Sequence, residues 1–168
     1  MTRVLVIATS RRTRGGITSV IKAHETGKQW TEYHCRWIET HIDKSIKWKL
    51  LYVVKAFFTY VFLLPQYDIV HIHLSEPPSA IRKVVFFVLA KVLRKKTIVH
   101  FHAFSVDTTI NSKYRNVYKY LFGKADCVIV LSRYWFEELN KAFSLDNVKV
   151  IYNPCVTAVL TAKRNSND

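Results

Sequence analysis

The sequence predicts a Rossmann-like α/β fold, that is, an open, mainly parallel sheet with helices on both faces. Two observations support this prediction. Short, apolar, β-branched runs recur along the chain, and a stretch with helical spacing of apolar residues lies between most of them. Alternation of this kind is typical of a parallel sheet wrapped by helices. The length of 168 residues is that of a single domain.

The first predicted strand, 3–9, is an almost unbroken apolar run, which is typical of a strand buried on both faces of a sheet. Gly15 and Gly16 then open a helix that ends at Gly27. A second strand is predicted in 33–38. Four later strands share a polar start, an apolar middle and a polar end, namely 68–73, 97–102, 126–131 and 148–151. Helices are predicted between them at 79–93, 112–122 and 134–143, so a ligand is expected at the carboxyl ends of the strands.

The net charge of +14 indicates an anionic partner. Between residues 44 and 106 there are ten basic residues and two acidic ones. Nucleic acid, anionic lipid headgroups and a phosphorylated substrate all fit this asymmetry. The three cysteines include no CxxC pair, which argues against a disulfide framework or a zinc ribbon and favours the reducing cytosol. Arg11, Arg12 and Arg14 follow the first apolar run, where a signal peptide would have its small-residue cleavage site, so export is not expected.

The glycine pair Gly15–Gly16 is compatible with two interpretations. Glycine lets backbone N–H groups approach a phosphate closely, and the amino terminus of the following helix carries partial positive charge. A glycine pair is also common in a simple turn. The dinucleotide motif GxGxxG and the P-loop motif GxxxxGK[ST] are both absent, so neither NAD binding nor a P-loop is predicted.

Two His-x-His pairs end consecutive predicted strands, and the period of two puts each pair on one face of the sheet. The residues are His71, His73, His100 and His102. In one interpretation His71 and His100 are core or rim residues with satisfied hydrogen bonds. In another, the four imidazoles hold zinc, copper or nickel, although no nearby cysteine or carboxylate completes the set. In a third, His73 and His102 face the ligand cleft and bind a polar substrate.

Residues 45–64 are predicted to form a helix that is apolar on almost every side. Its narrow polar stripe consists of Lys44, Lys47, Lys55 and Thr59. A transmembrane helix needs about 20 apolar residues, whereas 50–64 is shorter and contains Lys55, so a membrane span is not expected. Two interpretations stay open: an amphipathic helix on an anionic membrane surface, or a helix packed on the sheet and partly covered by another domain.

Five segments, taken in order, resemble the amino-terminal domain of retaining GT-B glycosyltransferases of family 4. They are RGGIT at 14–18, YDIVHIH at 67–73, VHFHA at 99–103, ADCVIVLS at 125–132 and VIYNP at 150–154. Their order and spacing extend over nearly the whole chain. The resemblance implies that 1–154 form a Rossmann-like, acceptor-side domain and that 155–168 belong to an interdomain linker. A second Rossmann domain would bind the donor, and the isolated domain is expected to be inactive.

The resemblance also implies roles for particular residues. Gly15 and Gly16 would lie beside the donor diphosphate, and His102 would be the catalytic cleft histidine that contacts the donor sugar. Further binding residues implied are Ser132, at the end of the fifth strand, and on the acceptor side His73, Ser75 and Glu76, with Arg11, Arg14 and Ser105 matched more loosely. Ala103 and Phe104 stand where the family usually shows Gly or Asp, and the turn reads Tyr-Asn-Pro instead of Pro-Asn.

The activity implied by the resemblance is hexosyl transfer with retention, from a nucleotide-sugar to a sugar or lipid-linked acceptor, in bacterial surface polysaccharide or glycolipid synthesis. No Asp-x-Asp motif occurs, so neither a metal nor another cofactor is expected. The implied location is the cytoplasm, with peripheral attachment to the inner face of the plasma membrane through 44–64. The alternative is a stand-alone basic module for a membrane surface or nucleic acid, although the sequence carries no nucleic-acid motif.

Overall fold

A computed structural model describes residues 1–154, and the predicted linker 155–168 lies outside the described residues. Six strands form one sheet in the order β2-β1-β3-β4-β5-β6, and every neighbouring pair is parallel. The predicted parallel α/β architecture is therefore confirmed. The strands are β1 (Val4–Ala8), β2 (Arg36–Glu39), β3 (Ile69–Leu74), β4 (Lys96–Phe101), β5 (Cys127–Val130) and β6 (Val148–Val150).

Helices connect the strands. They are α1 (Gly16–Glu25), α2 (Lys28–Glu32), α3 (Ile46–Leu63), α4 (Pro77–Val92), α5 (Arg115–Lys124) and α6 (Arg133–Phe143), with a 3₁₀ turn at Leu64–Gln66 and a π-helical turn at Val106–Ile110. The short helix α2 and the π-helical turn were not predicted. The second strand begins three residues later than expected, because the chain turns at His34, where φ is 43°.

The two faces of the sheet belong to different cores, because alternate residues of each strand point to opposite sides. Leu5 and Ile7 of β1 pack into the larger core, which includes residues of α3 to α6. Val4 and Val6 pack with Ile21 of α1 into a smaller core. The strand order reverses at β1, and right-handed crossovers then place α1 and α2 on one face and the later helices on the other.

The face under α3 to α6, called here the covered face, is apolar and closely packed. Phe101 of β4 is fully buried, and its ring lies 5.3–6.1 Å from the rings of Tyr118, Phe122 and Trp135. Tyr60 of α3 is also fully buried, and its hydroxyl donates to the carbonyl of Phe86 at 2.7 Å. Burial raises the pKa of the Tyr60 hydroxyl, so the group stays a neutral donor.

The opposite face, called here the open face, is only partly covered by α1 and α2. Beyond these two helices a groove of about 380 Å³ runs along the sheet. Strand residues of β3, β4 and β5 form its floor, among them Ile98, His100 and Ile129, and Trp30 of α2 forms part of its wall. Within residues 1–154, side chains at the centre of the sheet therefore face this groove on this side.

Helix α3 packs by a narrow side and exposes the rest. Ala56, Tyr60 and Leu63 are its buried residues, whereas Phe58 is 67% and Phe62 75% exposed. By length and composition alone, 46–66 would suffice to cross a membrane, which corrects the expectation that rested on the shorter segment 50–64. One side of α3 thus packs on the domain, and the other leaves a broad apolar surface, which both interpretations require.

Candidate functional site

A cleft of about 310 Å³ lies at the carboxyl ends of β1, β3 and β4. Thr9 follows β1, Ser75 follows β3 and His102 follows β4, so three strands deliver side chains to the same edge. The cleft is at the point where the strand order reverses between β1 and β3, which is where open α/β sheets bind ligands. The full lining is Thr9, Thr13, Arg14, Gly15, Gly16, Ile17, Thr18, Ser75, His102 and Asn153.

The glycine turn forms one wall of this cleft. Gly15 has φ 153° and ψ 167°, a conformation that is essentially restricted to glycine. Gly16 begins α1, and a Cβ added there would meet nothing within 4 Å. The N–H groups of the first helical turn have no partner within the helix and carry partial positive charge. The free backbone at Gly16 and the helix terminus together form a surface to which an anion can bind.

His102 on the other wall is held by His73. The Nε2 atom of His102 lies 2.8 Å from Nδ1 of His73, which is fully buried. Burial, reinforced by the positive charge that His100 and other neighbours would carry, lowers the pKa of His102 to about 2, so its ring is neutral. The Nε2 atom of His73 has no partner among the described residues, and a buried lone pair without a partner is more readily tolerated than a buried N–H. We therefore assign the shared proton to His73 Nδ1, which leaves His102 with an N–H at Nδ1.

The structure brings five of the predicted site residues together on the cleft. These are Arg14, Gly15, Gly16, Ser75 and His102. His73 was expected to face the cleft, but it lies behind His102 and is fully buried. The reason is that β3 ends at Leu74, so the residue that reaches the rim from this strand is Ser75.

The other predicted residues lie outside the cleft lining. The carbonyl of Glu76 accepts bonds from the first turn of α4, and its side chain is exposed. Ser132 caps α6, because its hydroxyl accepts the N–H of Trp135 at 3.2 Å. Ser105 precedes the π-helical turn. Arg11 pairs with Glu25 and Glu39 beside β2, away from the cleft.

Sequence reasoning missed several residues that build the site. Thr9 and Thr18 join the end of β1 to α1 through their hydroxyls, 3.1 Å apart. Lys83 is fully buried in α4, donating to the carbonyl of His73 and, at 2.8 Å, to Ser79 Oγ. Burial, helped by the charge of Arg82, lowers the Lys83 pKa to about 7. No signal in the sequence separates Lys83 from a surface lysine, because basic residues are common throughout this part of the chain.

An open parallel α/β domain with a glycine turn and a histidine on one cleft is the architecture of the amino-terminal domain of a GT-B glycosyltransferase. The sequence profile of Glycosyltransferase Family 4 matches residues 31–159. This match covers 129 of the 168 residues, and the chain belongs to that family.

Comparison with solved structures supports the same fold. HepE from Anabaena, crystallised in complex with UDP, superposes with a TM-score of 0.55 at 16% sequence identity. The superposition covers 92% of this chain and 44% of HepE, so the chain spans less than half the length of that protein. Among curated proteins no similar sequence was found.

Proposed function

We propose that this chain is the acceptor-side domain of a retaining, hexosyltransferase-type enzyme that transfers a sugar from a nucleotide-sugar to a lipid-linked acceptor. The observation that carries this proposal is that the glycine turn and His102 lie on one cleft, at the point where the strand order reverses. Bacterial surface polysaccharide or glycolipid synthesis is the setting we infer. Membership of the family supports sugar transfer in general, and the cleft supports the details that follow.

The proposed reaction requires stabilisation of a leaving diphosphate and of positive charge on the reacting sugar. Amide groups and the dipole at the start of α1 would stabilise the diphosphate, and the exposed guanidinium of Arg14 is available on the same wall. The N–H at Nδ1 of His102 would donate to a sugar hydroxyl. These groups supply the electrostatic stabilisation without a catalytic metal, so we propose that the transfer step needs neither a metal nor another cofactor.

The nucleotide would be held mainly by a second α/β domain, in the same polypeptide or in a partner subunit. The chain spans 44% of HepE, which was crystallised with UDP, and this supports a nucleotide-sugar donor and a larger assembled enzyme. In the isolated domain we therefore expect weak binding of the diphosphate portion alone and no transfer.

Helix α3 supports a lipid-linked acceptor and attachment to the inner face of the plasma membrane. Trp48 and Leu51 are exposed on α3, and they also line a pocket of about 420 Å³ between α3 and β2. Arg36 and Lys55 contribute positive charge to the same pocket. Apolar and aromatic side chains beside cations are suited to lipid tails and anionic headgroups.

The diphosphate site can be tested by NMR titration of the isotopically labelled chain with inorganic pyrophosphate and with UDP. We expect the amide signals of Gly15, Gly16 and Ile17 to shift. Gly16→Ala should fold with unchanged stability, since the added Cβ meets no atom, but should weaken binding about tenfold or more by blocking close approach. Gly123→Ala is the matched control, because that position is equally open and lies in α5, away from the cleft. Equal binding by the two variants would contradict the proposed site.

Transfer itself is tested in the enzyme assembled with its donor-binding domain. His102→Ala should lower kcat/KM by about 10²-fold or more, as the loss of a donor aimed at the transition state does in other enzymes. NMR of the first-formed product should show the anomeric configuration of the donor. Inversion would exclude the retaining mechanism, and no loss of rate in His102→Ala would exclude the role given to this residue.

Membrane attachment is tested by flotation with vesicles of phosphatidylglycerol and of phosphatidylcholine. We expect binding to the anionic vesicles only, and loss of binding in the double variant Phe58→Ser and Phe62→Ser. Val92→Ser, which also removes an exposed apolar side chain, should bind as the wild type does. Salt-dependent binding to DNA without vesicle binding would instead favour the alternative of a nucleic-acid module.

A further inference from the structure

Five of the seven histidines in the chain lie together on the open face. His71 and His73 project from β3, and His100 and His102 project from the adjoining positions of β4, with ring centroids 4.1–5.5 Å apart for the contacting pairs. His24 of α1 adds a fifth ring, 6.4 Å from that of His73. We call this group the histidine cluster.

The cluster contains buried nitrogen atoms that lack hydrogen-bond partners. Among residues 1–154 these are Nε2 of His71, Nε2 of His73, and both ring nitrogens of His100. His73 is fully buried and His100 is 3% exposed. Buried polar atoms in folded proteins nearly always have a partner, and each exception calls for an explanation. These four atoms lie on three neighbouring imidazoles, so a single ligand bound between the rings would give several of them a partner.

We propose that His71, His73 and His100 bind a single transition-metal ion, of the class of Zn²⁺, Cu²⁺ or Ni²⁺. One ring nitrogen from each of the three lies within 4.8 Å of the other two. Tetrahedral Zn–N bonds of about 2.0–2.1 Å would bring such atoms to about 3.4 Å apart, so the rings of His71 and His100, which are now stacked, would have to turn towards a common point. Imidazole nitrogen favours these ions over Mg²⁺ and Ca²⁺, which prefer oxygen ligands.

The contact between His73 and His102 is the arrangement that a metal-binding histidine would need. A histidine that binds a metal usually donates its other ring N–H to a neighbouring acceptor, which fixes the tautomer. In the tautomer assigned above, Nδ1 of His73 donates to His102, and Nε2 carries the free lone pair that a metal requires. His102 thus lines the cleft, and its hydrogen bond with His73 also orients His73 as a metal ligand.

The groove on the open face provides a path for the ion. His71 and His100 both line it, so three imidazoles would leave a further coordination position open towards the groove for water, hydroxide or another anion. The three ligands are neutral and include no carboxylate, and the ammonium of Lys83 lies at the carbonyl of His73. We therefore expect weaker binding than at a site with thiolate or carboxylate ligands.

The test uses the chain without an affinity tag, stripped with EDTA and titrated with Zn²⁺ or Co²⁺ in a calorimeter, with Mg²⁺ as a control ion. One equivalent of Zn²⁺ should bind, and the thermal unfolding midpoint should rise with it. The double variant His71→Asn and His100→Asn should lose this equivalent. The matched control, His34→Asn and His41→Asn, removes the two histidines outside the cluster and should keep it. Retention of the equivalent in the cluster variant would overturn the proposal.

A second measurement needs no variant and so covers the case in which the cluster variant fails to fold. In wild-type chain labelled at histidine, paramagnetic Co²⁺ should broaden or shift the imidazole signals of the cluster and leave those of His34 and His41 sharp. No binding by the wild type, or effects confined to His34 and His41, would exclude the site and leave water as the partner of the unpaired nitrogens. These outcomes are independent of sugar transfer, since they involve neither donor nor acceptor.

Discussion

The covered and open faces of the sheet are built by the same strands and yet differ in almost every property. In β4, Val99 and Phe101 point into the apolar core on the covered face, whereas His100 points to the open face, as does Ile98. The covered face has buried aromatic contacts, while the open face has a groove and unpaired imidazole nitrogens. Because side chains alternate along a strand, a single segment can stabilise the fold on one side and carry chemical groups on the other.

This division shows where the molecule can tolerate polar side chains. A tightly packed core disfavours a polar atom without a partner. On the open face, α1 and α2 leave space along the sheet, and four strand histidines occupy the region where the cover becomes incomplete. The covered face therefore supplies most of the buried apolar contacts, and the open face carries the buried imidazoles.

The largest expected effect is acid unfolding that originates on the open face. Burial, reinforced by neighbouring imidazoles, lowers the pKa of His71 to about 3 and of His100 to about 4, and it lowers those of His73 and His102 as well. Below the unfolded value of about 6.5 the unfolded chain binds more protons, so the contribution of these imidazoles to stability is complete above that pH and is lost as the pH falls towards 4. Each imidazole contributes up to about 1.4 kcal/mol per pH unit. Urea midpoints between pH 7 and pH 4.5 measure the slope.

Two histidine substitutions, one inside the cluster and one outside it, check which residues cause the loss of stability with falling pH. His100→Gln removes a titrating group from the cluster, so the loss of stability per pH unit should decrease by about one proton equivalent. His34→Gln, at an exposed position outside the cluster, should leave the slope unchanged. Equal slopes for both variants would show that acid unfolding has another source.

The next largest effect on the free energy of unfolding is expected from large-to-small substitutions on the two faces of β4. Phe101→Ala should lower the free energy of unfolding by about 3–5 kcal/mol, because the residue is fully buried among aromatic rings. Ile98→Ala, on the groove, should cost about 1 kcal/mol, since its side chain is only partly buried. Chemical denaturation at pH 7.5 measures both values. Similar losses for the two variants would mean that the groove is filled in solution.

The smallest effect on stability is expected from substitutions on the buried and the exposed side of α3. Tyr60→Phe removes one buried hydrogen bond to the carbonyl of Phe86, which lies inside α4 and still accepts a backbone N–H of that helix, so the change should cost about 1 kcal/mol. Phe58→Ser, on the exposed side, should change stability by no more than about 0.5 kcal/mol. Thermal unfolding in the absence of lipid measures both changes. A large loss for Phe58→Ser would show that another part of the protein packs on this side of α3.

The strands and long helices were predictable because their patterns are strong. Buried parallel strands such as β1 and β3 are apolar over most of their length, and few other structures give that pattern. Helix α2 was not predictable, because it has five residues and none is buried, so no apolar period exists to detect. The start of β2 was misplaced because the turn at His34 lies between two segments rich in aromatic residues.

The site was predictable only in part. Gly15 and His102 occupy positions that the topology defines, after β1 and after β4. Thr13 and Asn153 are polar residues in loops, where no helix or strand pattern predicts the direction of a side chain. Their place on the cleft therefore depends on the path of the backbone. Ser132 was predicted at the end of the fifth strand, but β5 ends at Val130 and the Ser132 hydroxyl caps α6, which the sequence pattern does not reveal.

The reactivity of Lys83 can be used to measure how often the interior of the domain opens. Its amine is buried in the interior, where burial lowers its pKa to about 7, and it regains the pKa of a surface lysine only when the interior opens. Acylating reagents will modify the surface lysines at once, whereas this amine will react only during excursions that open the interior. The rate at which the peptide containing Lys83 gains mass therefore measures how often the domain opens.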